Sequence, residues 1–295
     1  MSNLIHRARV ERVIELTPGM VRVVLGGAGL AGFETTGVGD EYLRVWLPRE
    51  GETEPTLPVP SGKDSWEWPE GVAESPLRTY TVRRWDAAAR ELTIDMVKHG
   101  AGLAARWAAS ARPGAIVGVN TPRGMYRPPA GMRWLLLATD AAGLPAAARI
   151  LETLPPSVRV RAFLEVPGPE YEQTIALPAR AEVRWLHGGN GHGPSRLAEL
   201  VRASAFPDGP GYVWVAGETR VTRDARRYLR HELGWPSTAY KVVGYWTEAV
   251  EEWEARYEAL PAEVYAHLES LWDDEDRDEE DIEDEYDAVL DRFGL

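Results

Sequence analysis

The stretch Trp134-Leu135-Leu136-Leu137-Ala138-Thr139 decides the fold of this chain of 295 residues. It contains no charge, and a short, almost wholly apolar run is typical of a strand that is buried on both faces. Apolar residues with helical spacing follow at residues 144–154. A buried strand that leads into a helix predicts a parallel sheet covered by helices.

The chain after this stretch keeps alternating between strands and helices. We predict further strands at residues 158–166, 182–186, 211–215 and 239–245, and further helices at residues 195–203 and 221–233. This alternation predicts one parallel α/β domain.

The chain before Pro128-Pro129-Ala130-Gly131 has a different pattern of short strands separated by turn residues. One helix, at residues 103–111, interrupts them and ends before Pro113. Strands at this spacing are typical of a barrel or a sandwich. The predicted strands are residues 5–13, 20–26, 41–47, 77–85, 91–99 and 115–120.

The charge of the chain is divided unevenly. After residue 247 there are 20 acidic and 3 basic residues, which leaves the preceding part with a net charge of +4. Apolar residues recur at helical spacing through this acidic segment and predict about three amphipathic helices. These helices either form a folded appendage on the body or offer a surface for a partner or a second copy. The mildly basic body suits anionic ligands, but its arginines are not clustered enough to indicate nucleic acid.

The absence of cysteine limits the chemistry. It excludes disulfides, thiolate zinc sites, iron–sulfur clusters and a catalytic thiol, so that an organic cofactor must carry any electrons. The first residues lack the apolar core of a signal peptide, and the longest apolar run is too short to span a bilayer. We therefore expect a cytoplasmic protein without membrane insertion.

Two glycine-rich motifs are set aside. Gly27-Ala28-Gly29-Leu30-Ala31-Gly32 fits G-x-G-x-x-G, but a loop rather than a helix follows it, so we interpret it as a turn. The stretch from His187 to His192 has two histidines without further ligands in step, and we predict a loop there and no metal site.

The segment Arg78-Thr79-Tyr80-Thr81-Val82-Arg83 is the candidate cofactor-binding motif. It reads R-x-Y-T on a strand, and Gly100-Ala101-Gly102 then leads into the predicted helix that starts at Leu103. This order suits a flavin dinucleotide. Arg78 would pair with the pyrophosphate, Tyr80 would contact the isoalloxazine ring, and Thr81 would bond a ring heteroatom. The start of the helix would offer backbone N–H groups to the phosphates.

With these segments in this order, the chain resembles the siderophore-interacting protein family, a branch of the ferredoxin-NADP⁺ reductase-like flavoproteins. The resemblance spans about residues 5–247. Besides residues 78–83, it is carried by Met96-Val97-Lys98-His99-Gly100, Ala105-Arg106-Trp107-Ala108, Thr121-Pro122-Arg123-Gly124, Leu136-Leu137-Ala138-Thr139-Asp140, Leu144-Pro145-Ala146, Trp214-Val215-Ala216-Gly217-Glu218 and Gly244-Tyr245-Trp246.

The resemblance implies a fold of class β + α/β in three parts. These are a Greek-key FAD-binding barrel at residues 1–129, a nicotinamide-binding-type domain at residues 130–247 and an acidic helical extension at residues 248–295. It also implies that ferric siderophores are reduced, with electrons passing from NADH or NADPH through FAD. The oxygen ligands of siderophores hold Fe³⁺ far better than Fe²⁺, so reduction would release the iron inside the cell.

The resemblance also assigns roles to residues, none of them a catalytic acid or base. Contacts to FAD fall on Arg78, Tyr80, Thr81, Val97, His99, Gly100, Ala104 and Ala105. Contacts on the nicotinamide side fall on Asp140, Leu144, Pro145, Gly217 and Glu218, and the flavin is covered by Tyr245 and Trp246. The anionic ferric siderophore is expected to meet Arg44, Arg123 and Lys241.

The chain departs from the family pattern after Asp140. Ala141-Ala142-Gly143 stands where the family has an acid and a hydroxyl, which bears on nicotinamide binding. Three alternatives therefore stay open. They are a flavin reductase with another acceptor, a siderophore-binding protein whose reductase activity is lost or depends on ferredoxin, and an interaction protein that uses the acidic helices. The acidity of the extension speaks against an acidic ferredoxin as the donor.

Overall fold

The computed structural model describes residues 4–61, 65–98, 103–273 and 277–295. Its first half contains a seven-stranded, wholly antiparallel sheet of order β6-β3-β9-β1-β2-β8-β7. The elements are β1 Ile5–Thr17, β2 Met20–Gly26, β3 Tyr42–Trp46, β4 Val59–Pro60, β5 Trp66–Glu67, β6 Leu77–Thr81, β7 Arg84–Asp86, β8 Glu91–Val97, α1 Leu103–Ser110 and β9 Ile116–Asn120.

Side chains of this sheet alternate between the inside of the barrel and its outer surface. Along β1, Ala8 and Val10 are fully buried while Arg7 and Arg9 are exposed. The buried pair joins Val23, Leu43 and Ile94 in one apolar core inside the sheet. The expectation of an N-terminal barrel is confirmed.

The second half is a five-stranded, wholly parallel sheet of order β12-β11-β10-β13-β14. The stretch quoted at the outset is the central strand β10, and all six of its residues are buried, as a strand between two helical layers requires. The elements are β10 Trp134–Thr139, α2 Leu144–Thr153, β11 Arg159–Val166, β12 Ala181–His187, α3 Leu197–Arg202, β13 Gly211–Glu218, α4 Thr219–Arg227 and β14 Tyr240–Trp246.

Two local predictions were wrong in detail, and one hairpin was missed. The strand expected at residues 77–85 is divided into β6 and β7, because the amide of Val82 bonds the Glu41 carbonyl while that of Arg83 turns to Thr93. The helix expected at residues 221–233 starts at Thr219 and ends in a π-helical turn over Tyr228–Glu232. The small hairpin of β4 and β5 was not foreseen.

The acidic extension forms the three expected helices, α5 Val250–Glu258, α6 Ala262–Ser270 and α7 Glu279–Arg292. They share an apolar core of their own, centred on Leu268, Ile282 and Leu290. The appendage interpretation is confirmed, since α7 lies along α4 and pairs its acids with arginines of that helix and of the π-helical turn after it. Among the described residues, none of the helices has the length and apolar character that a membrane span requires.

The barrel and the α/β domain are joined by buried polar contacts. The carboxylate of Asp40 accepts hydrogen bonds from the amides of Met125 and Tyr126, at 2.8 and 2.7 Å, and from Nε1 of Trp214, at 3.1 Å. Arg149 of α2 pairs with the fully buried Glu41 at 2.6 Å. These contacts fix how the two domains face each other across a cleft.

Candidate functional site

A cavity of about 580 Å³ lies between the barrel and the α/β domain. Its barrel wall is built from β6 and the end of β8, and its opposite wall from the start of α2 and the end of β14. Eight of the predicted site residues line it, namely Arg78, Tyr80, Thr81, Val97, Ala105, Pro145, Tyr245 and Trp246.

Strand β6 presents its motif to this cavity from the end of the sheet. Among the described residues it pairs with β3 alone, so it is an edge strand of the sheet. The Arg78 guanidinium donates to the Leu77 carbonyl at 2.7 Å, and no carboxylate of the described residues lies within ion-pair distance of it. Burial raises the pKa of the Tyr80 hydroxyl, and Thr81 is buried beside it. An uncompensated guanidinium next to an apolar ring surface fits the pyrophosphate and flavin of FAD.

Helix α1 approaches the cavity with its first turn. Ala105 lines the cavity, and Ala104 precedes it in the same turn. The start of α1 therefore borders the cavity, and its contact with the phosphates stays a prediction. The predicted contacts His99 and Gly100 lie outside the described residues.

Asp140 is buried beneath the opposite wall and organises it. Its Oδ2 accepts hydrogen bonds from Nε1 of Trp246 at 2.7 Å and from the amide of Glu218 at 2.9 Å, and its Oδ1 accepts the Ala142 amide at 2.9 Å. Burial raises the pKa of this carboxyl to about 6, and the hydrogen bonds partly oppose that rise. A Cβ at Gly217 would lie 2.6 Å from Oδ2 of Asp140, so glycine is needed there.

Glu218 is likewise turned into the protein. Its Oε2 accepts the amides of Arg220 and Val221, at 2.7 and 3.1 Å, and so caps the start of α4. Leu144 is buried in the core, whereas Pro145 reaches the cavity. Of the residues expected on the nicotinamide side, Asp140, Gly217 and Glu218 therefore shape the wall from behind.

Tyr245 and Trp246 form the wall itself. The Tyr245 ring meets Trp214 edge-on, with centroids 6.5 Å apart. Burial strongly raises the pKa of the Tyr245 hydroxyl, and the Thr81 side chain across the cavity is close enough to lower it slightly. The two walls thus meet at Thr81 and Tyr245, and the Trp246 indole is held in place by Asp140.

The three predicted siderophore contacts lie around the cavity rather than on its lining. The Arg44 guanidinium stands 4.8 Å from the centre of the Trp66 ring. Arg123 exchanges backbone hydrogen bonds with Tyr42, a lining residue. Lys241 is on the edge strand β14, two residues before Val243, which lines the cavity.

Sequence reasoning missed several lining residues. Tyr42, Met125 and Val250 are far from one another in the chain and carry no motif, so only the fold brings them together. Asp95 also reaches the cavity, but Arg22 neutralises it with two bonds of 2.7 and 2.8 Å.

The first of the two motifs set aside forms a turn, as predicted, and the second begins at the end of a strand. The G-x-G-x-x-G stretch forms a 3-10 turn, Ala28–Leu30, with no α-helix after it. His187 ends β12 and bonds Glu172 at 2.8 Å, and the described residues contain no cluster of ligands suited to a metal ion.

Comparisons with known proteins agree with this geometry. A family model described as a siderophore-interacting FAD-binding domain matches residues 9–126, and one described as a siderophore-interacting protein matches residues 132–249. A solved structure of a siderophore utilization protein from T. fusca is 38% identical, with a TM-score of 0.75, and the match covers 84% of this chain and 95% of that chain.

Two relatives bear the names of activities. A ferric vibriobactin reductase of Vibrio cholerae is 31% identical, over 81% of this chain and 88% of its own length. An NADPH-dependent ferric-chelate reductase of Escherichia coli is 30% identical, over 80% of this chain and 91% of its own length. The matches therefore extend over both domains that border the cavity.

Proposed function

The chain belongs to the siderophore-interacting protein family, whose FAD-binding domain forms its barrel, and from this membership we propose that it reduces ferric siderophores with electrons from NADH or NADPH. The observation that carries the proposal is the single cavity that joins the R-x-Y-T strand to the α/β domain. One opening then serves the cofactor, its donor and its acceptor.

The residues of the chain act by binding and positioning. Arg78 compensates the pyrophosphate charge, Tyr80 and Thr81 set the place of the flavin ring, and Trp246 covers the far side under the control of Asp140. A flavin held by these residues would supply the redox chemistry, because a flavin can accept two electrons from a nicotinamide and donate them one at a time. Fe²⁺ is held weakly by siderophore oxygens, so that reduction releases it.

Ala142 and Pro145 line the cavity on its α/β side, and we expect the nicotinamide ring to lie beside them. Their small side chains offer no hydrogen bond where the family has an acid and a hydroxyl, so the donor is held by shape and by the backbone. The E. coli relative named for NADPH supports a nicotinamide donor. A ferredoxin would have to approach a chain whose last 48 residues carry a net charge of −17.

The test is an anaerobic titration followed by the visible absorption of the FAD-loaded protein. NADH or NADPH is expected to bleach the flavin band, and a ferric catecholate siderophore is expected to restore it while a ferrous chelator traps iron. Restoration by ferric citrate or a quinone but not by the siderophore would favour the flavin reductase alternative.

Two other results would contradict the proposal in different ways. A bound flavin that neither nicotinamide bleaches, but that reduced ferredoxin does, would replace the donor. A protein that binds the ferric siderophore but no FAD would be a binding protein instead.

A further inference from the structure

The acidic extension supplies part of the wall of the cavity described above. Val250, the first residue of α5, lines the cavity together with Thr247, although the family model of the second domain ends at residue 249. Val250 is also 44% exposed, so the cavity opens to solvent beside it. We propose that this opening selects ferric siderophores by charge and favours uncharged or cationic trishydroxamate complexes over anionic ones. The inference rests on the proposed function and narrows its substrate class.

Hydrogen bonds to the start of α4 fix the chain at this opening. The hydroxyl of Thr219 donates to the carbonyl of Trp246 at 2.9 Å, and a bond of 3.0 Å joins the hydroxyls of Thr219 and Thr247. The amide of Glu248 donates to Oε1 of the buried Glu218 at 3.4 Å. The first charges of the extension are therefore held at a defined place beside the cavity.

These first charges are all negative. Glu248 directly follows the lining residue Thr247, and Glu251 and Glu252 directly follow the lining residue Val250. Consecutive Cα atoms are about 3.8 Å apart, so the carboxylates of Glu248 and Glu251 lie within about 10 Å of a lining residue. All three acids are exposed, and no cation in the described part of the chain is within ion-pair distance of them.

The cavity itself does not balance this negative charge. Its charged lining residues, within the part of the chain that the structure describes, are Arg78 and Asp95, and Arg22 neutralises Asp95. In the proposed function Arg78 is used by the pyrophosphate, which carries more negative charge than one guanidinium supplies. The three basic residues expected to meet the siderophore lie outside the lining. An acceptor that approaches the bound flavin through this opening therefore meets a negative potential.

The charge of a ferric siderophore depends on the type of its oxygen ligands. Three hydroxamates, each with a single negative charge, neutralise Fe³⁺, whereas three doubly charged catecholates leave an anionic complex. Both types are hard oxygen ligands that hold Fe³⁺ better than Fe²⁺. A negative potential at an opening lowers the local concentration and the association rate of anions. A catecholate complex then still reoxidises the flavin, but it does so more slowly than a trishydroxamate complex.

The test uses one linear trishydroxamate ligand in two forms, with a free terminal amine or with that amine succinylated. The iron centre is the same in both forms, and only the outer charge changes from positive to negative. The FAD-loaded protein is reduced with light under anaerobic conditions, and stopped-flow absorption follows its reoxidation by each ferric complex. Two ferric complexes are reduced for each flavin that is reoxidised.

At low ionic strength, the cationic complex is expected to reoxidise the flavin about 5- to 20-fold faster than the anionic one. The ratio is expected to fall towards one in about 1 M salt, where the Debye length is only about 3 Å.

A pair of double variants assigns this ratio to the opening. Glu248→Gln with Glu251→Gln is expected to speed the anionic complex and to slow the cationic one, each by about 2- to 5-fold at low ionic strength. Glu263→Gln with Glu269→Gln is the matched control and is expected to leave the ratio unchanged. It removes the same charge from exposed positions of α6, none of whose described residues lines the cavity. Glu263 also stands in the first turn of its helix, as Glu251 does.

The remaining outcomes count against the proposal. Equal rates for the two forms of the ligand, or a ratio that salt does not change, would overturn selection by charge while the proposed function stands. The same shift in both double variants would assign the effect to the total charge of the protein and not to the opening. If neither form of the complex nor a ferric catecholate reoxidises the flavin, the proposed function fails and this inference fails with it.

Discussion

The contact between α4 and α7 depends on Arg226, and we expect Arg226→Met to loosen the acidic extension. The Arg226 side chain is only 7% exposed and faces the carboxylates of Glu283, Asp284 and Asp287. Methionine keeps most of the apolar stem but removes the charge, so that three acids on one helix lose the cation they share. Burial already raises the pKa of Asp287, and Arg226 opposes that rise.

The size of the effect follows from the partial burial of these groups. An exposed ion pair contributes about 0–1 kcal/mol, and breaking a fully buried one costs about 3–5 kcal/mol. The three carboxylates are 17–31% exposed, and Arg223 still faces Asp287 in the variant. We therefore expect the opening of α7 to become easier by about 2–3 kcal/mol, which lies between the two cases.

Hydrogen exchange of the α7 amides measures this opening. Arg226→Met is expected to speed their exchange by about 30- to 150-fold. Arg227→Met is the matched control, because Arg227 and its partner Asp291 are 50% and 47% exposed and the pair is worth little. Exchange that rises equally in both variants, or in neither, would refute the reasoning that burial of Arg226 sets the strength of the contact.

Two further predictions concern the cavity. Arg78→Ala is expected to weaken FAD and FMN alike by about 10- to 100-fold in a fluorescence titration, since both flavins carry phosphate. The control is Arg84→Ala, because Arg84 is an exposed arginine at the start of β7 that pairs with Asp86, and this variant is expected to bind both flavins normally. Equal losses of flavin binding in the two variants would contradict the role of Arg78. For Asp140, the folded protein binds the proton more tightly than the unfolded chain, because the pKa rises from 3.8 to about 6. Its contribution to the free energy of unfolding therefore falls as the pH rises from about 4 to about 6 and is level above that window. Asp140→Asn is expected to remove this slope in urea titrations, and a slope that survives in the variant would rule Asp140 out as its source.

The parallel sheet was the part of the fold that sequence predicted best. Buried strands such as β10 are continuous apolar runs, and β10 was predicted to the residue. The hairpin of β4 and β5 was missed because each strand has only two paired residues and Pro60 stands in one of them. Patterns of two residues carry no periodicity to detect.

The candidate site was predictable only where a motif supplied it. Arg78, Tyr80 and Thr81 lie on one strand, and the order of this motif, the glycine turn, the helix and the α/β domain predicted a flavin site. The sequence did not predict that the Glu218 side chain points into the protein, because its hydrogen-bond partners are the backbone amides at the start of α4. Tyr42 and Val250 line the same cavity from different parts of the fold, and no local sequence pattern predicts this.

The single carboxylate of Asp40 ties the barrel, the connecting segment and the α/β sheet together, and this has a consequence for heat resistance. Domains that share so buried a junction are expected to melt in one cooperative transition. A ligand that touches only the barrel then protects the α/β domain as well, because neither half can open alone. The concentration of FAD would in this way determine how long both domains stay folded at high temperature.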